Sequence, residues 1–204
     1  MKHFSKLMVL GLALMVLAVG CGKKPEEEIN VSKAAVDAIV TEGADKYAKD
    51  ELKNINDTLS QAMAEVDAQG QKYMKNYDKA KELLAKAKAD AEKIKADIPA
   101  RKEAAKNQAT TALEGAKTAV AEAKSLLAKA PKGKGTMADI EALRSDVAGL
   151  EEAVNEGQGL IDKEDYLAAT EKANSVSSKA KEVSDQINQA LEKVKQAKKS
   201  SKKK

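Results

Sequence analysis

Apolar residues recur along most of this sequence at alternating spacings of three and four, the period of one face of an α-helix. Four such series can be followed. The first is Leu52, Ile55, Leu59, Ala62, Val66, Gln69 and Tyr73, with Ala34, Ala38 and Ala48 upstream. The second is Tyr77, Ala80, Leu84, Ala87, Ala91, Ile94 and Ile98, resuming as Ala105, Ala109, Leu113, Ala116, Val120, Ala123 and Leu127. The third is Ile140, Leu143, Val147, Leu150, Val154, Gly157 and Ile161, and the fourth is Tyr166, Ala169, Ala173, Val176, Ala180, Val183, Ile187, Leu191 and Val194.

These series predict an all-α protein of about four long helices, arranged as elongated antiparallel hairpins with coiled-coil-like seams. Asn30 or Ser32 is the expected cap of the first helix, Asn76 of the second and Asp162 of the fourth. Gly43 weakens the first series without ending it. The clearest break is the Pro/Gly-rich segment 131–135.

Pro99 leaves two interpretations of the second series. A proline inside a helix removes a hydrogen bond and kinks the helix, at a cost of about 3 kcal/mol or more. The apolar register nevertheless resumes beyond Pro99, with no glycine, asparagine or polar cluster around it. A continuous helix kinked at Pro99 is therefore favoured over a reversal that would create a fifth helix.

The first and third series correspond at an offset of 88 residues, as in Leu52 with Ile140. The second and fourth correspond at 89, as in Tyr77 with Tyr166. The single slip falls in the turn between them, where a hairpin tolerates it. The pattern indicates an internal duplication, although chance matching of two alanine-rich helices would give similar correspondences.

Composition favours long, closely packed helices. The chain is 43% hydrophobic and 33% charged with 2% aromatic residues and no Trp, and much of its apolar content is alanine. Alanine buries little area but is the best helix former and lets helices approach closely. A compact globule is thus disfavoured, and disorder is the competing hypothesis for so charged a chain.

The first 21 residues have the layout of a secretory signal. Lys2 and Lys6 precede an unbroken apolar run of 13 residues, Leu7–Val19. That run is shorter than the roughly 20 residues that a membrane-spanning helix needs. The next residues, Gly20 and Cys21, complete a segment 18–21 that resembles the lipobox of bacterial lipoproteins. An ordinary signal peptide followed by a chance cysteine is the alternative.

The lipobox resemblance implies cleavage between Gly20 and Cys21 and covalent lipid on Cys21, which is the only cysteine of the chain. Gly22 after the cysteine implies the outer membrane, with the protein facing the periplasm. The expected organisation is a cleaved signal peptide, a lipidated tether, a first hairpin with a long second helix, a loop, a second hairpin and a Lys-rich tail, at residues 1–20, 21–30, 31–130, 131–135, 136–192 and 193–204.

A second resemblance concerns the first hairpin. Three short stretches, 43–44, 47–48 and 51–52, are followed by the segment 76–80 with the sequence Asn-Tyr-Asp-Lys-Ala. Together they are similar to an alanine-rich helical-hairpin family of bacterial lipoproteins whose function is unknown. The resemblance extends over about residues 31–94. It implies a fold and an envelope location, and no chemistry.

The sequence predicts neither an enzyme nor a metal or cofactor site. Its one histidine, His3, lies in the segment expected to be removed, and Cys21 is the only thiol. Runs of acids such as 26–28 and 151–152 are typical of solvated helix faces. Gly157-Gln158-Gly159 lacks the context of a phosphate-binding loop, and Tyr77 and Tyr166 are interpreted as anchors that pack at turns.

The C-terminal lysines are the remaining candidate site. Residues 193–204 carry seven lysines and no acid. They could be a solvated helix end, since cations complement a helix C-terminus, or a contact with an anionic surface or the cell wall. The candidates for that contact are Lys198, Lys199, Lys202, Lys203 and Lys204.

Three functions are compatible with these patterns. The first is a lipid-anchored scaffold in the cell envelope, which binds envelope proteins and has no catalytic activity. The second is a tether between membrane and peptidoglycan that resembles the Braun-type lipoprotein, with Lys204 as the linked residue. The third is a carrier that holds an apolar molecule between its helices. The seams would also allow a homo-oligomer, and nucleic acid is not expected as a partner of an exported chain.

Overall fold

The computed structural model describes residues 22–130 and 137–201, and the side chains of 137–139, 194 and 197–201 lie outside that description. The described residues form six helices joined by turns, without a strand among them, which confirms the all-α class. The helices are α1 (Glu26–Thr41), α2 (Ala44–Tyr47), α3 (Lys49–Gly70), α4 (Asp78–Ala128), α5 (Met137–Asp162) and α6 (Tyr166–Ser201). The chain divides into two compact units between Ala100 and Arg101, here called unit 1 and unit 2. The Pro/Gly loop predicted at 131–135 lies outside the described residues.

The chain reverses at Gly43, so the first of the four predicted helices is in fact three. Gly43 has φ +100°, in the left-handed region that residues with a Cβ avoid, and its N–H donates to the Val40 carbonyl at 3.0 Å. The caps predicted for the first helix, Asn30 or Ser32, are also wrong, because α1 begins at Glu26, directly after Pro25. Of the upstream positions assigned to the core, Ala34 is exposed and Ala38 half-buried. The buried face of α1 is Ile29, Ser32, Val36 and Ile39.

Unit 1 is built from α1, α3 and the first half of α4. Ile29, in the first turn of α1, shares a cluster with Val66 near the end of α3 and with Tyr77 just before α4. Ile39, near the end of α1, lies in a second cluster with Ile55 from the first half of α3. α3 therefore runs antiparallel to both α1 and α4.

Ion pairs show that α1 and the first half of α4 run in the same direction. Lys81 Nζ lies 3.7 Å from Glu28 Oε1, and Lys95 Nζ lies 3.3 Å from Glu42 Oε1. The two pairs are separated by the same number of residues, as two parallel helices in register require. Unit 1 is therefore a bundle of three helical layers, where the sequence predicted a two-helix hairpin.

A buried hydroxyl joins α1 to α4. Ser32 is 2% exposed, and its Oγ lies 2.7 Å from the Glu28 carbonyl oxygen and 2.9 Å from that of Leu84. Its single hydrogen is thus directed toward two carbonyls, one in its own helix and one in the neighbouring helix. Because a buried hydroxyl without a partner is costly, this position favours α1 docked against α4.

Unit 2 is built from the second half of α4 with α5 and α6. Its core joins Leu113 and Val120 from α4 to Val147 from α5 and Val176 from α6. α4 is one continuous helix with Pro99 inside it, which confirms the interpretation favoured from the register. Every described side chain of the second and fourth series is buried except Leu191, which is partly buried.

The turn between α3 and α4 is closed by side-chain amides. The Asp78 N–H donates to Asn76 Oδ1 at 2.8 Å, so the predicted cap of this helix is confirmed. Gln69, which is buried, donates from Nε2 to Glu65 Oε1 at 2.7 Å, and its Oε1 accepts from the Asn76 N–H at 3.3 Å. The predicted cap Asp162 is wrong, because it is the last residue of α5 and accepts a hydrogen bond from Gln158 at 3.2 Å.

Alanine forms much of both cores. Many of the alanines are completely inaccessible to solvent, and those occur on α2, α3, α4 and α6. Examples are Ala62, Ala80, Ala91, Ala116, Ala123, Ala169, Ala173 and Ala180. A methyl group in the seam brings helix axes toward the close end of the usual range of about 8–10 Å.

Candidate functional site

The predicted anchor, Gly20 and Cys21, lies outside the described residues. What is described begins immediately after it: Gly22 with φ +105°, then Lys23 and Lys24, then Pro25, which is fully buried. Since α1 starts at Glu26, only four residues separate Cys21 from the first helix. At about 3.3–3.6 Å per residue this spacer spans at most about 14 Å, half of what a tether extending to Asn30 would allow.

The Lys-rich tail is helical as far as the description reaches. α6 continues to Ser201, and Lys195 pairs with Glu192 at 2.7 Å. The side chains of Lys198 and Lys199 lie outside the description, as do Lys202, Lys203 and Lys204 entirely. The contact proposed for these lysines therefore stays a prediction.

Two acidic residues of α5, one of them from the acidic run 151–152, form ion pairs with neighbouring helices. Glu151 Oε1 lies 2.6 Å from Lys124 Nζ on α4, and Glu156 Oε2 lies 2.5 Å from Lys172 Nζ on α6. Pairs this exposed contribute about 0–1 kcal/mol each, yet they align the helices that carry them. In residues 22–130 and 137–201, no three His, Cys, Asp or Glu side chains converge as metal ligands would.

The pKa of Glu65 is lowered from its usual value of 4.5. The main cause is the hydrogen bond from Gln69, and the positive charges of Lys79 and Lys72 act in the same direction. Lys79 Nζ lies 3.7 Å from Glu65 Oε2. This carboxylate belongs to the network that closes the α3–α4 turn, so its shifted pKa is accounted for structurally.

One of the two glycines of the Gly157-Gln158-Gly159 segment serves helix packing. Gly157 is buried, and a Cβ built on it would lie 3.0 Å from Leu113 Cδ1 on α4. Gly159 lies in the same helix, with open space where its Cβ would be. Tyr77 and Tyr166 are both buried at the starts of helices, in agreement with their interpretation as packing anchors.

Two open grooves of unit 2 lie between adjacent helices. The groove between α5 and α6 has a volume of about 460 Å³, and its lining includes Gly149 and the charged Asp146, Lys179 and Glu182. The groove between α4 and α5 has a volume of about 580 Å³ and is lined by Lys117, Val120, Ala121, Lys124, Glu151, Val154 and Asn155. Both linings combine small or apolar side chains with charges of both signs.

The α3–α4 turn exposes two large apolar residues, one of which the sequence analysis misplaced. Tyr73 was assigned to the buried face of the first series, but α3 ends at Gly70 and the Tyr73 side chain is fully exposed. Its neighbour Met74 is 84% exposed. The signal available in the sequence was the polar, turn-like character of residues 72–76, which favours an end of the helix before Tyr73.

Comparison with known proteins finds similarity to a family model over part of the chain. Residues 27–105 match the family model described as a domain of unknown function (DUF4398). The match begins in the first turn of α1 and ends shortly beyond Pro99, so it covers most of unit 1. No curated protein and no solved structure matches the chain. Among the described helices, none combines the length and the apolarity that crossing a bilayer requires.

Proposed function

We propose that this chain is a bacterial lipoprotein of the cell envelope, held by lipid on Cys21 and facing the periplasm from the outer membrane. Its helical units bind other envelope proteins, and it has no catalytic activity. The observation that carries this proposal is the N-terminal segment, in which a basic start, the apolar run Leu7–Val19 and Gly20-Cys21 follow one another. A cysteine placed by chance at the end of such a run would be an improbable coincidence.

The surfaces of the described helices support a binding role. Their charged side chains pair with lysines or acids on adjacent helices, as Lys124 does with Glu151. The two grooves of unit 2 present methyl and methylene groups between charges of both signs. Protein interfaces have this composition, in which an apolar centre is surrounded by a polar rim.

The anchor is tested by Cys21→Ser. Each buried methylene of an acyl chain contributes about 0.8 kcal/mol of membrane affinity, and two or more chains hold a protein stably. We expect the native chain to carry a lipid mass on its N-terminal peptide and to sediment with membranes, and Cys21→Ser to lose both properties.

The matched control for the anchor adds a cysteine elsewhere. Ser145 is exposed on α5 and lies far from residue 21 in the sequence. Adding Ser145→Cys to Cys21→Ser restores a thiol without restoring its position, and should restore neither lipid nor sedimentation. A Cys21→Ser chain that stayed in the membrane pellet like the native chain would end the proposal.

We also propose that the two units contain copies of one duplicated hairpin. Positions related by the offsets of 88 and 89 are buried in pairs, as Val66 with Val154 and Tyr77 with Tyr166. An experimental structure tests this. We expect α3 with the first half of α4 to superpose on α5 with the first part of α6, with those pairs coinciding. Pairs that faced different sides of their helices would exclude duplication.

A further inference from the structure

The turn between α3 and α4 has an unusual surface. Residues 71–76, here called the tip, follow the end of α3 at Gly70 and precede α4. Tyr73 is fully exposed and Met74 is 84% exposed, and the lysines on either side, Lys72 and Lys75, are exposed as well. Two adjacent large side chains without packing partners in their own unit are typical of an interaction surface rather than of ordinary loop composition.

The tip lies at the same end of unit 1 as the start of α1. Ile29 shares a cluster with Val66 and Tyr77, so the first turn of α1, the last turns of α3 and the beginning of α4 are adjacent. At 1.5 Å per residue, Glu26 is about 5 Å along its helix from Ile29, and Gly70 is about 6 Å from Val66. The spacer that begins after Cys21 and the tip therefore emerge from one end of the bundle.

The chemistry of the tip matches the interfacial region of a bilayer. Tyrosine rings are enriched at the level of the lipid headgroups, where the ring is partly apolar and the hydroxyl is hydrated. A methionine side chain enters the acyl boundary without burying a polar group. Lysines near an anionic bilayer contribute about 1 kcal/mol each, and the tip has one on each side of its apolar pair.

The other charges at this end allow an approach to an anionic surface. Glu28 and Glu65 are paired with Lys81 and Lys79. The exposed Glu26 and Glu27 lie in the first turn of α1, where they complement the helix dipole. Together with the exposed Asp67 and Asp78 they equal in number the exposed lysines Lys23, Lys24, Lys72 and Lys75, so the charge at this end is balanced and Lys72 and Lys75 are the charges next to Tyr73 and Met74.

We propose that the tip is a second membrane contact, in which Tyr73 and Met74 insert into the interface of an anionic phospholipid bilayer while Lys72 and Lys75 lie among its headgroups. The inference rests on the proposed lipid anchor at Cys21. A spacer of at most about 14 Å holds this end of unit 1 close to the surface, within reach of side chains that extend from the tip. Two contacts at one end orient unit 1, whereas a single flexible tether would leave its orientation free.

Single-tryptophan fluorescence tests the contact, because the native chain has no Trp. Met74→Trp places a probe at the tip. Val40→Trp is the matched control, since Val40 is 43% exposed but lies in the last turn of α1, about 21 Å along the helix from Glu26. Both full-length variants are produced with their lipid and reconstituted into vesicles of phosphatidylcholine and phosphatidylglycerol, with or without brominated acyl chains.

We expect the emission of Met74→Trp to move to shorter wavelength and to be quenched by brominated lipid several-fold more than that of Val40→Trp. Adding Lys72→Gln and Lys75→Gln, or replacing phosphatidylglycerol by phosphatidylcholine, should reduce that quenching. Emission at Met74→Trp that remains at the wavelength of free tryptophan, with no bromine quenching, overturns the proposal. A shift to shorter wavelength without bromine quenching would indicate a protein neighbour at the tip, and overturns it equally.

The intact mass of the same preparation separates this proposal from the proposed function. A lipid mass on the N-terminal peptide with an unquenched tip leaves the anchor standing and removes the second contact. A chain without lipid removes the anchor, whatever the fluorescence shows.

Discussion

Single residues decide how closely the helices of unit 2 approach. Gly157 lies where α5 meets Leu113 of α4, and an added Cβ would be 3.0 Å from the Leu113 Cδ1 atom. Gly115 also lies in the interior of a helix, but no atom of a neighbouring residue would lie within 4 Å of a Cβ added there. The two glycines therefore differ only in what a methyl group would contact, since alanine is the better helix former at both positions.

We expect Gly115→Ala to raise the free energy of unfolding by about 0.5–1 kcal/mol. Gly157→Ala should raise the free energy of unfolding by less than Gly115→Ala does, or should lower it. The reason is that the buried Leu113 side chain must move to make room for the added methyl group. Urea denaturation followed by circular dichroism compares the two. Equal gains for both variants would mean that α5 does not approach Leu113 as closely as described.

The network around Glu65 makes the α3–α4 turn sensitive to acid. Because the folded protein holds the pKa of Glu65 below 4.5, the ionised carboxylate stabilises the folded state above that value. This contribution is lost as the pH falls through the lowered pKa, since the protonated acid must then replace a carboxylate that accepts from Gln69.

We accordingly expect Glu65→Gln to be less stable than the native chain near neutral pH, and the difference to vanish in acid. Unfolding measured across the acid range checks this. Glu152→Gln, at an exposed position of α5, serves as the control and should follow the native chain throughout. A difference between Glu65→Gln and the native chain that persisted in acid would show that the side chain acts through packing rather than charge.

At the scale of helices, spacing in the sequence predicted the buried faces well and the helix ends less well. From Tyr77 to Leu127 every position assigned to the core is buried, because a period of three and four identifies one face of a regular helix. The reversal at Gly43 was missed because Ala34 and Ala38 happened to extend the register of α3. The larger side chains Val36 and Ile39 were the better indication of the buried face of α1, because they lie on a different face of that helix from Ala34 and Ala38.

Pro99 provides the test of α4. It is exposed within a continuous helix, where it lacks the N–H that other residues donate. We expect Pro99→Ala to stabilise the protein, by up to about 3 kcal/mol if the local backbone relaxes fully to regular helix. Thermal unfolding of Pro99→Ala against an exposed neighbour variant such as Ala96→Ser measures the gain. A loss of stability would mean that the proline is needed for a bend or reversal.

At the scale of the whole molecule, sequence reasoning reached the class of fold and a hypothesis for the anchor but not the surfaces. Each groove of unit 2 is formed by small and charged residues from two helices that pack side by side. The spacing of apolar residues along one helix does not specify which residues of another helix become their neighbours. The exposure of the tip was missed for a related reason. Tyr73 continued a regular spacing, and only the end of α3 at Gly70 removes it from the core.

The lysine tail distinguishes the scaffold from a covalent tether to the wall. If Cys21 alone holds the chain, sacculi purified in hot detergent should be free of it. Removing residues 202–204 should leave membrane sedimentation unchanged, because acyl chains provide the affinity. Chain retained on sacculi, and released by Lys204→Arg, would instead favour the tether.

The inaccessible alanines of the two bundles have a consequence for sequence variation. Each of these methyl groups is buried in the core, and even one additional methylene in so dense an interior typically costs 1–3 kcal/mol. Positions such as Ala91 and Ala173 should thus accept glycine or serine more readily than valine or leucine. A chain whose composition looks monotonous is therefore under steric selection along these seams, and relatives should diverge in their lysines and glutamates long before they enlarge these smallest side chains.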